Sequence, residues 1–544
     1  MRTYQQRRHF TGLLSTAGAP IISGLIFLGF LLLRLPFRSH YPVNWDAVQL
    51  ALGTQSFDLV HHQPHPPGYI GFIGLGWLMN HITGDSNTSL TILSMVAGSL
   101  APALLYSLAL RFMSRGYALV TAALFGLSPL VWYYSEVALT YAAEAAAGIA
   151  FLAFAHRGLK QVSTRDLIVA AVLLSVLGSL RQSAMLFLIP VWLYAAWQFP
   201  WRVRIGSAAV LGVTSLLWVV PLLWLSGGPN IYMEESRALA NVIGASALSL
   251  NVTGLQMNVT FVIAGILIGA NAGLLIAVAA RLAGVRPLKD LDRKDKLFFL
   301  LWVLPAMVTF ILGHTGQLGY ILLLLPALFL LVGVSLEGLS RITEPARLNL
   351  RRPLLVISVT LFAAASAFGF LALPGAAYTH FQSRDTTSES NTARHLRQYD
   401  LKTSDAHWEG LAHLIGRYDP RTTVVLTTVG GPRISGSFRH VSYLLPEYRV
   451  YGLGMDTDGS FGYMFTAQHG RSDYSVEGLA SAAPWLPFGH NTLRVIIPDS
   501  EILSRLDPRI ARQNVTLPSG ANVVIAFIPS GTAFTFYDLQ DSDE

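Results

Sequence analysis

An ionisable side chain at or inside an apolar segment is costly, so such residues are the first candidates for chemistry. Four places in this chain qualify. The first is residues 44–69, NWDAVQLALGTQSFDLVHHQPHPPGY, with Asp46, Asp58, His61, His62 and His65 ahead of the turn Pro66-Pro67-Gly68-Tyr69. An ionised Asp46 could take the proton of a hydroxyl within hydrogen-bond reach, as a general base does. It could equally cap the short helix that follows it. The three histidines match no zinc spacing, and the chain has no cysteine. An ordinary polar loop is their simpler reading.

The second place is residues 128–144, SPLVWYYSEVALTYAAE. Glu136, Thr140 and Glu144 are spaced i, i+4, i+8, the spacing of one helical face. Trp132, Tyr133 and Tyr134 fit a membrane interface, where such rings collect whatever the function. Glu136 could favour a helix N-terminus through the helix dipole. Glu144, two turns or roughly 12 Å further along, calls for a cavity or a partner. The third place is Arg181-Gln182, between two short apolar runs. A guanidinium there could bind phosphate through a two-pronged hydrogen bond, or pair with Glu136 or Glu144 as internal glue. The fourth is GHTGQLGY, residues 313–320, a tight turn offering His314, Gln317 and Tyr320.

The elements that must position these residues follow from composition. The chain has 544 residues, 52% of them hydrophobic and only 13% charged, whereas soluble domains carry about 25% charged residues. A large core cannot explain the deficit, because cores split into domains well below this length. Membrane segments do explain it. Apolar runs fall near 20–37, 90–110, 117–132, 137–155, 167–180, 183–200, 205–225, 258–280, 297–313, 318–336 and 353–373. The expected fold is therefore a polytopic α-helical membrane protein of about eleven transmembrane helices. With a cytoplasmic N-terminus, the inner connections hold about twenty Lys and Arg and the outer ones about four, which sets the orientation. The net charge of +7 is thus a matter of topology, and nucleic acid is not expected as a partner.

The outer connections are unequal. Residues 38–89 make a long first outer loop, in which Gly68–Asn80 is apolar but too short to span and reads as an interfacial or re-entrant helix. After Pro374 the chain turns polar. An amphipathic helix is expected over 405–418, and short buried strands over 422–428, 493–498 and 522–528. The expected domains are residues 1–374, the membrane part, and 375–544, a small extracytoplasmic α/β domain. No P-loop, dinucleotide fingerprint or hydrolase elbow is present, so nucleotide hydrolysis is not expected to supply energy.

The arrangement resembles the GT-C superfamily of integral-membrane glycosyltransferases, in particular the branch of protein O-mannosyltransferases and lipid A aminoarabinose transferases. Several features carry the resemblance: Asp46 after the first helix, the turn His65 to Tyr69, the loop Pro129 to Glu136, Leu180 to Gln182 before Phe187 to Pro190, Gly319-Tyr320 before Pro326, and the stretch Tyr443 to Tyr448. It covers roughly the first 340 residues well and the tail loosely. It implies a polyprenyl-phosphate sugar donor, transfer at the outer face of a bacterial cytoplasmic membrane, and inversion at the anomeric carbon.

By position, the resemblance makes Asp46 the general base and Arg181, or Arg34 at the end of the first helix, the group that neutralises the leaving phosphate. It implies that Glu136 and Glu144 orient sugar hydroxyls, and that Tyr133 and Tyr134 stack on sugar or prenyl chain. Asp58, His65, Tyr69, His314, Gln317 and Tyr320 complete the sugar- and acceptor-binding set. The acceptor would be a glycan, a lipid or a protein. No cofactor is implied outright; some relatives use a divalent metal, and the sequence leaves that open here. Two positions depart from the family's mannosyltransferases. Their first-loop acidic pair is here Asp46-Ala47, and their lysine near the Pro-Pro turn is replaced by Gly68-Tyr69. The competing reading is a transporter or flippase of lipid-linked sugars, but transporters tend to show repeated halves and none is visible.

Overall fold

The computed structural model describes residues 18–246, 252–287, 289, 291–313, 316–343, 351–372, 396–429, 437–455, 461–467, 477–478, 485–486, 492–499, 502, 510–528 and 534–535. The chain divides into two compact units. One comprises Met1–Arg38, Pro66–Asp85 and Ser89–Leu373; the other comprises Ser39–His65, Ser86–Thr88 and Pro374–Glu544.

The first unit is helical. Its helices are Ala19–Arg34, Ile70–Thr83, Ser86–Ala109, Arg115–Gly126, Pro129–Ser135, Tyr141–Gln161, Thr164–Leu180, Gln182–Ala196, Trp201–Leu225, Pro229–Ser246, Val252–Ala270, Gly273–Leu282, Arg293–Leu312, Leu325–Thr343 and Arg351–Ala367, with a 3₁₀ turn at Leu318–Leu323. The described parts of the apolar runs fall mainly on helices or bent pairs of them, and 318–336 on the 3₁₀ turn and the helix after it. Among the described residues, four helices are long and apolar enough to cross a membrane, or up to six if each bent pair is one span. The bent pairs are Arg115–Gly126 with Pro129–Ser135, at 59°, and Gly254–Ala270 with Gly273–Leu282, at 88°. Pro129 sits at the start of its helix, where the missing N–H would have had no partner anyway.

Trp201–Leu225 is apolar along most of its length beyond Arg204 and presents large exposed side chains: Leu217 is 73% and Trp224 78% exposed. Its exposed apolar side fits lipid, while Ser207, Ser215 and Trp218 bond to neighbouring helices. Polar side chains also gather where helices meet at their ends. Ser163 and Asp292 cap Thr164–Leu180 and Arg293–Leu312 through their side-chain oxygens. Lys160 reaches Asp292 at 2.5 Å and Asp295 at 2.9 Å, and His156 pairs with Asp295 at 2.9 Å. These contacts tie Tyr141–Gln161 to the start of Arg293–Leu312.

The second unit is α/β. Strands β1 (Thr423–Thr428), β2 (Arg449–Met455), β3 (Phe461–Ala467), β4 (Glu477–Gly478), β6 (Arg494–Ile497), β7 (Arg512–Thr516) and β8 (Asn522–Phe527) form a sheet ordered β4-β3-β2-β1-β6-β8-β7. A small ladder pairs β5 (Trp485–Leu486) with β9 (Phe534–Thr535). The centre, β2-β1-β6, is parallel, and the flanks are antiparallel. Central parallel strands are covered on both faces and so read as continuous apolar runs; Val424, Val425, Leu426, Val495, Ile496 and Ile497 are accordingly all buried.

Helices Gln398–Ile415 and Phe438–Leu444 pack on the sheet through Trp408, Leu411, Ile415, Phe438 and Val441, and Tyr41 and Trp45 pack against the same core. Here the structure differs from the reading of 38–89 as one loop of the membrane part. Its first portion, with helix Trp45–Gln55, folds with the C-terminal unit, because Tyr41 and Trp45 find their apolar partners there.

Candidate functional site

Arg181 stands where two helices fail to join. Thr164–Leu180 ends before it, Gln182–Ala196 begins after it, and its own backbone is extended (φ −158°, ψ 109°). The break turns the side chain inward, and the residue is 5% exposed. Its Nε lies 3.6 Å from Glu144 Oε2 and 3.4 Å from Ser183 Oγ. The guanidinium carbon sits 4.2 Å from the centre of the Tyr320 ring and 4.8 Å from that of Tyr141. Cations over aromatic faces gain more once water is excluded. The Tyr69 phenol is also within electrostatic reach. Tyr69 has φ +43° and precedes helix Ile70–Thr83. Gln182 Nε2 donates to Pro67 O at 3.1 Å, fixing the His-Pro-Pro-Gly-Tyr turn beside the break. Four distant stretches of sequence thus meet at one guanidinium. At Gly319 even a methyl group would lie 2.5 Å from the Tyr141 ring, so only glycine lets Tyr141 and Tyr320 close on Arg181 together.

The face shared by Glu136, Thr140 and Glu144 does not form. Pro129–Ser135 stops, Glu136 N–H donates back to Tyr133 O at 2.9 Å, Leu139 N–H donates to Val137 O at 2.8 Å, and the next helix starts at Tyr141 with Thr140 as its cap. Glu144 therefore lies in the first turn of Tyr141–Gln161 rather than deep along a continuous helix, and there the dipole favours a carboxylate. Both carboxyl oxygens of Glu136 are buried with no hydrogen-bond partner among the described residues. Its electrostatic partner is Arg34. Arg34 is 1% exposed and donates to Gly126 O at 3.1 Å and Phe30 O at 3.4 Å. The two arginines are thus employed differently. Arg34 ties down the carbonyl end of Arg115–Gly126, whereas Arg181 faces a carboxylate and aromatic rings.

Tyr133 and Tyr134 are buried. Ring centres run Tyr133–Tyr134 5.2 Å, Tyr134–Tyr141 4.9 Å and Tyr141–Tyr320 5.7 Å, which links them to the Arg181 cluster. Gln317 is the extended residue leading into the 3₁₀ turn that carries Tyr320. His314 lies outside the described residues.

In the second unit, Asn44 is the cap of helix Trp45–Gln55, accepting the Ala47 N–H at 2.9 Å. Asp46, half-buried in the first turn, is not used as the cap. Asp58 organises its own turn: it accepts from His61 N at 3.2 Å and from His61 Nδ1 at 2.5 Å, and its backbone exchanges hydrogen bonds with Gln63. His65 follows, half-buried. Burial, with Arg439 and two neighbouring histidines, pushes His62 down to about 4. Among the described residues no three His, Asp or Glu side chains converge as metal ligands. Sequence reasoning missed Arg439, whose guanidinium is 1% exposed as a residue and donates to His61 O at 2.7 Å; no local pattern marks it.

Residues 65–225 match the family model for dolichyl-phosphate-mannose-protein mannosyltransferase. Two crystal structures of ArnT from Cupriavidus metallidurans resemble the chain over nearly its whole length. The one bound to undecaprenyl phosphate has a TM-score of 0.59 at 13% identity and covers 95% of this chain and 99% of its own. The apo form has a TM-score of 0.53 at 13% identity, covering 94% and 98%. The chain shares the fold of these two structures. It is a multi-pass membrane protein. No curated protein matches it by sequence.

The matched stretch holds His65, Tyr69, Tyr133, Tyr134, Glu136, Glu144 and Arg181, while Arg34, Asp46, Asp58, Gln317 and Tyr320 fall outside it. Next to Tyr320 in the 3₁₀ turn, Ile321 lines an apolar cavity of about 290 Å³ together with Phe299, Val303, Met307, Leu324 and Leu328. The Arg181 cluster and this cavity are thus served by adjacent residues of one short turn.

Proposed function

We propose that the chain is a membrane glycosyltransferase. In this reading it moves a sugar from a polyprenyl-phosphate donor to an acceptor hydroxyl at the extracytoplasmic face, with inversion. Asp46 removes the hydroxyl proton as the oxygen attacks the anomeric carbon. The bond from that carbon to the phosphate oxygen breaks, and polyprenyl phosphate leaves as an anion. Arg181 stabilises the charge that develops on it, as fixed positive groups do for transferring phosphates. Glu144 holds Arg181 in place and, with Glu136, Tyr133 and Tyr134, contacts the sugar. Sugar and acceptor contacts are assigned to Asp58, His65, Tyr69, His314, Gln317 and Tyr320, and the apolar cavity beside Ile321 to prenyl carbons.

The observation that carries the reading is the buried guanidinium of Arg181, at a helix break, against two tyrosine rings and a carboxylate. A lone surface arginine would lack such a setting. The chain would cross a bacterial cytoplasmic membrane about eleven times, with its N-terminus inside and its C-terminal domain outside. The acceptor is a glycan, a lipid or a protein.

Binding of undecaprenyl phosphate to the purified full chain tests the phosphate site. Wild type should bind, and Arg181→Gln should bind about tenfold or more weakly, as expected for losing a hydrogen bond to a charged group. Equal binding by the two would remove Arg181 from the phosphate site.

A further inference from the structure

Residues 39–61, the segment that carries the Asp46 helix, are held near both ends by side chains of the C-terminal unit. At its entry, Asp405 of helix Gln398–Ile415 accepts four contacts from three successive residues: Ser39 Oγ at 3.0 Å, His40 N at 3.1 and 3.0 Å to its two oxygens, and Tyr41 N at 3.0 Å. Hydrogen bonds to an ionised acceptor are about twice as strong as neutral ones. The next residue, Pro42, accepts from His440 Nε2 at 3.1 Å, and the His440 ring is stacked on Trp408 at 3.9 Å and 1°. Past the helix, Arg439 donates to His61 O at 2.7 Å, and the same guanidinium lies 5.6 Å from the centre of the Trp45 ring at the helix start.

Arg439 and His440 are neighbours on helix Phe438–Leu444, so one short helix grips both ends of the segment. Most of these contacts go to the segment's main chain. They fix where its backbone runs, whatever its side chains do.

We infer that the C-terminal unit is the positioning frame of the Asp46 helix, with Asp405 and Arg439 as positioning residues for the base. The inference rests on the reading of Asp46 as base, and gives the C-terminal unit a role in catalysis without a catalytic group of its own. A displacement of about 1 Å can cost on the order of 10²-fold in rate, so loosening either end should lower turnover more than donor affinity.

The test uses the full chain, which has no cysteine of its own. A spin label is placed on Gln55→Cys, at the exposed end of the Asp46 helix, or on Phe527→Cys, 39% exposed on β8. Asp405→Ala should raise label mobility at position 55, leave position 527 unchanged, and lower kcat about tenfold or more with donor KM nearly unchanged. Asp405→Asn keeps an acceptor oxygen and should fall between. An unmoved label at position 55, or a freed label with unchanged kcat, overturns the inference. Mobility gained at both positions would mean that the unit has merely unfolded, and would overturn it as well. If wild type transfers no sugar, the proposed function fails, and an unmoved label at position 55 would then show that the frame fails too.

Discussion

Replacing Arg181 separates internal glue from a phosphate ligand. Its ion pair with Glu144 is buried, with side chains 7% and 4% exposed. Breaking a buried pair by removing one partner costs about 3–5 kcal/mol, because the other charge is left uncompensated. At 3.6 Å the pair is longer than an ideal charge-assisted contact, so the low end, about 3 kcal/mol, is expected for Arg181→Met. The two aromatic faces add about 0.5–2 kcal/mol. In Arg181→Met/Glu144→Gln the stranded charge is gone, and most of the stability should return. Turnover should not return. Losing a group that stabilises developing charge costs about 10²–10³ in kcat, and an uncharged pair cannot replace it. Thermal unfolding in detergent and transfer from a lipid-linked sugar are measured on the same preparations. A double variant that is both stable and fully active would refute the phosphate role and leave Arg181 as glue.

Other expectations follow from the same geometry. Arg34→Met strands Glu136 and releases Gly126 O, so it should destabilise by about 3–5 kcal/mol, read as a lowered unfolding midpoint that Glu136→Gln partly restores. Asn44→Ala removes the cap of the Asp46 helix and should cost about 1 kcal/mol while leaving most of the transfer rate; complete loss of transfer would contradict the separation of cap from base. Burial holds the His440 imidazole down to about 3 and that of His407 to about 4, well below the usual 6.5. Both are depressed in the folded state, so the unfolded chain binds more protons below pH 6.5, and stability falls as the pH drops from there towards 4. Melting curves between pH 7 and 5 should show this decline, and His440→Gln should flatten it.

What could be read from the sequence divides by the range of the interactions involved. A bilayer demands long uninterrupted apolar runs, so the helices of the first unit are visible one at a time, and even the short run Gly68–Asn80 appears as helix Ile70–Thr83. Arg181 announced itself as a charge between apolar runs. The break at 136–140 did not, because no proline or glycine marks it, and the i, i+4, i+8 spacing of Glu136, Thr140 and Glu144 imitates a continuous helix. In the C-terminal unit, the apolar strands β1, β6 and β8 were legible, whereas β2 (RVYGLGM) carries two glycines and β7 (RQNVT) is mostly exposed and polar. The grip of Asp405 and Arg439 on residues 39–61 joins positions more than 360 apart. No local pattern encodes it.

The central claim is sugar transfer with Asp46 as base, and its most direct test is transfer of label from a panel of polyprenyl-phosphate sugars to native membrane acceptors by wild type and Asp46→Asn side by side. Because Asn44 rather than Asp46 caps the helix, the variant should fold and insert as wild type does. The account predicts label transfer from one of the donors by wild type and a loss of about 10²–10⁴-fold in the variant. Wild-type rates from folded Asp46→Asn would contradict it.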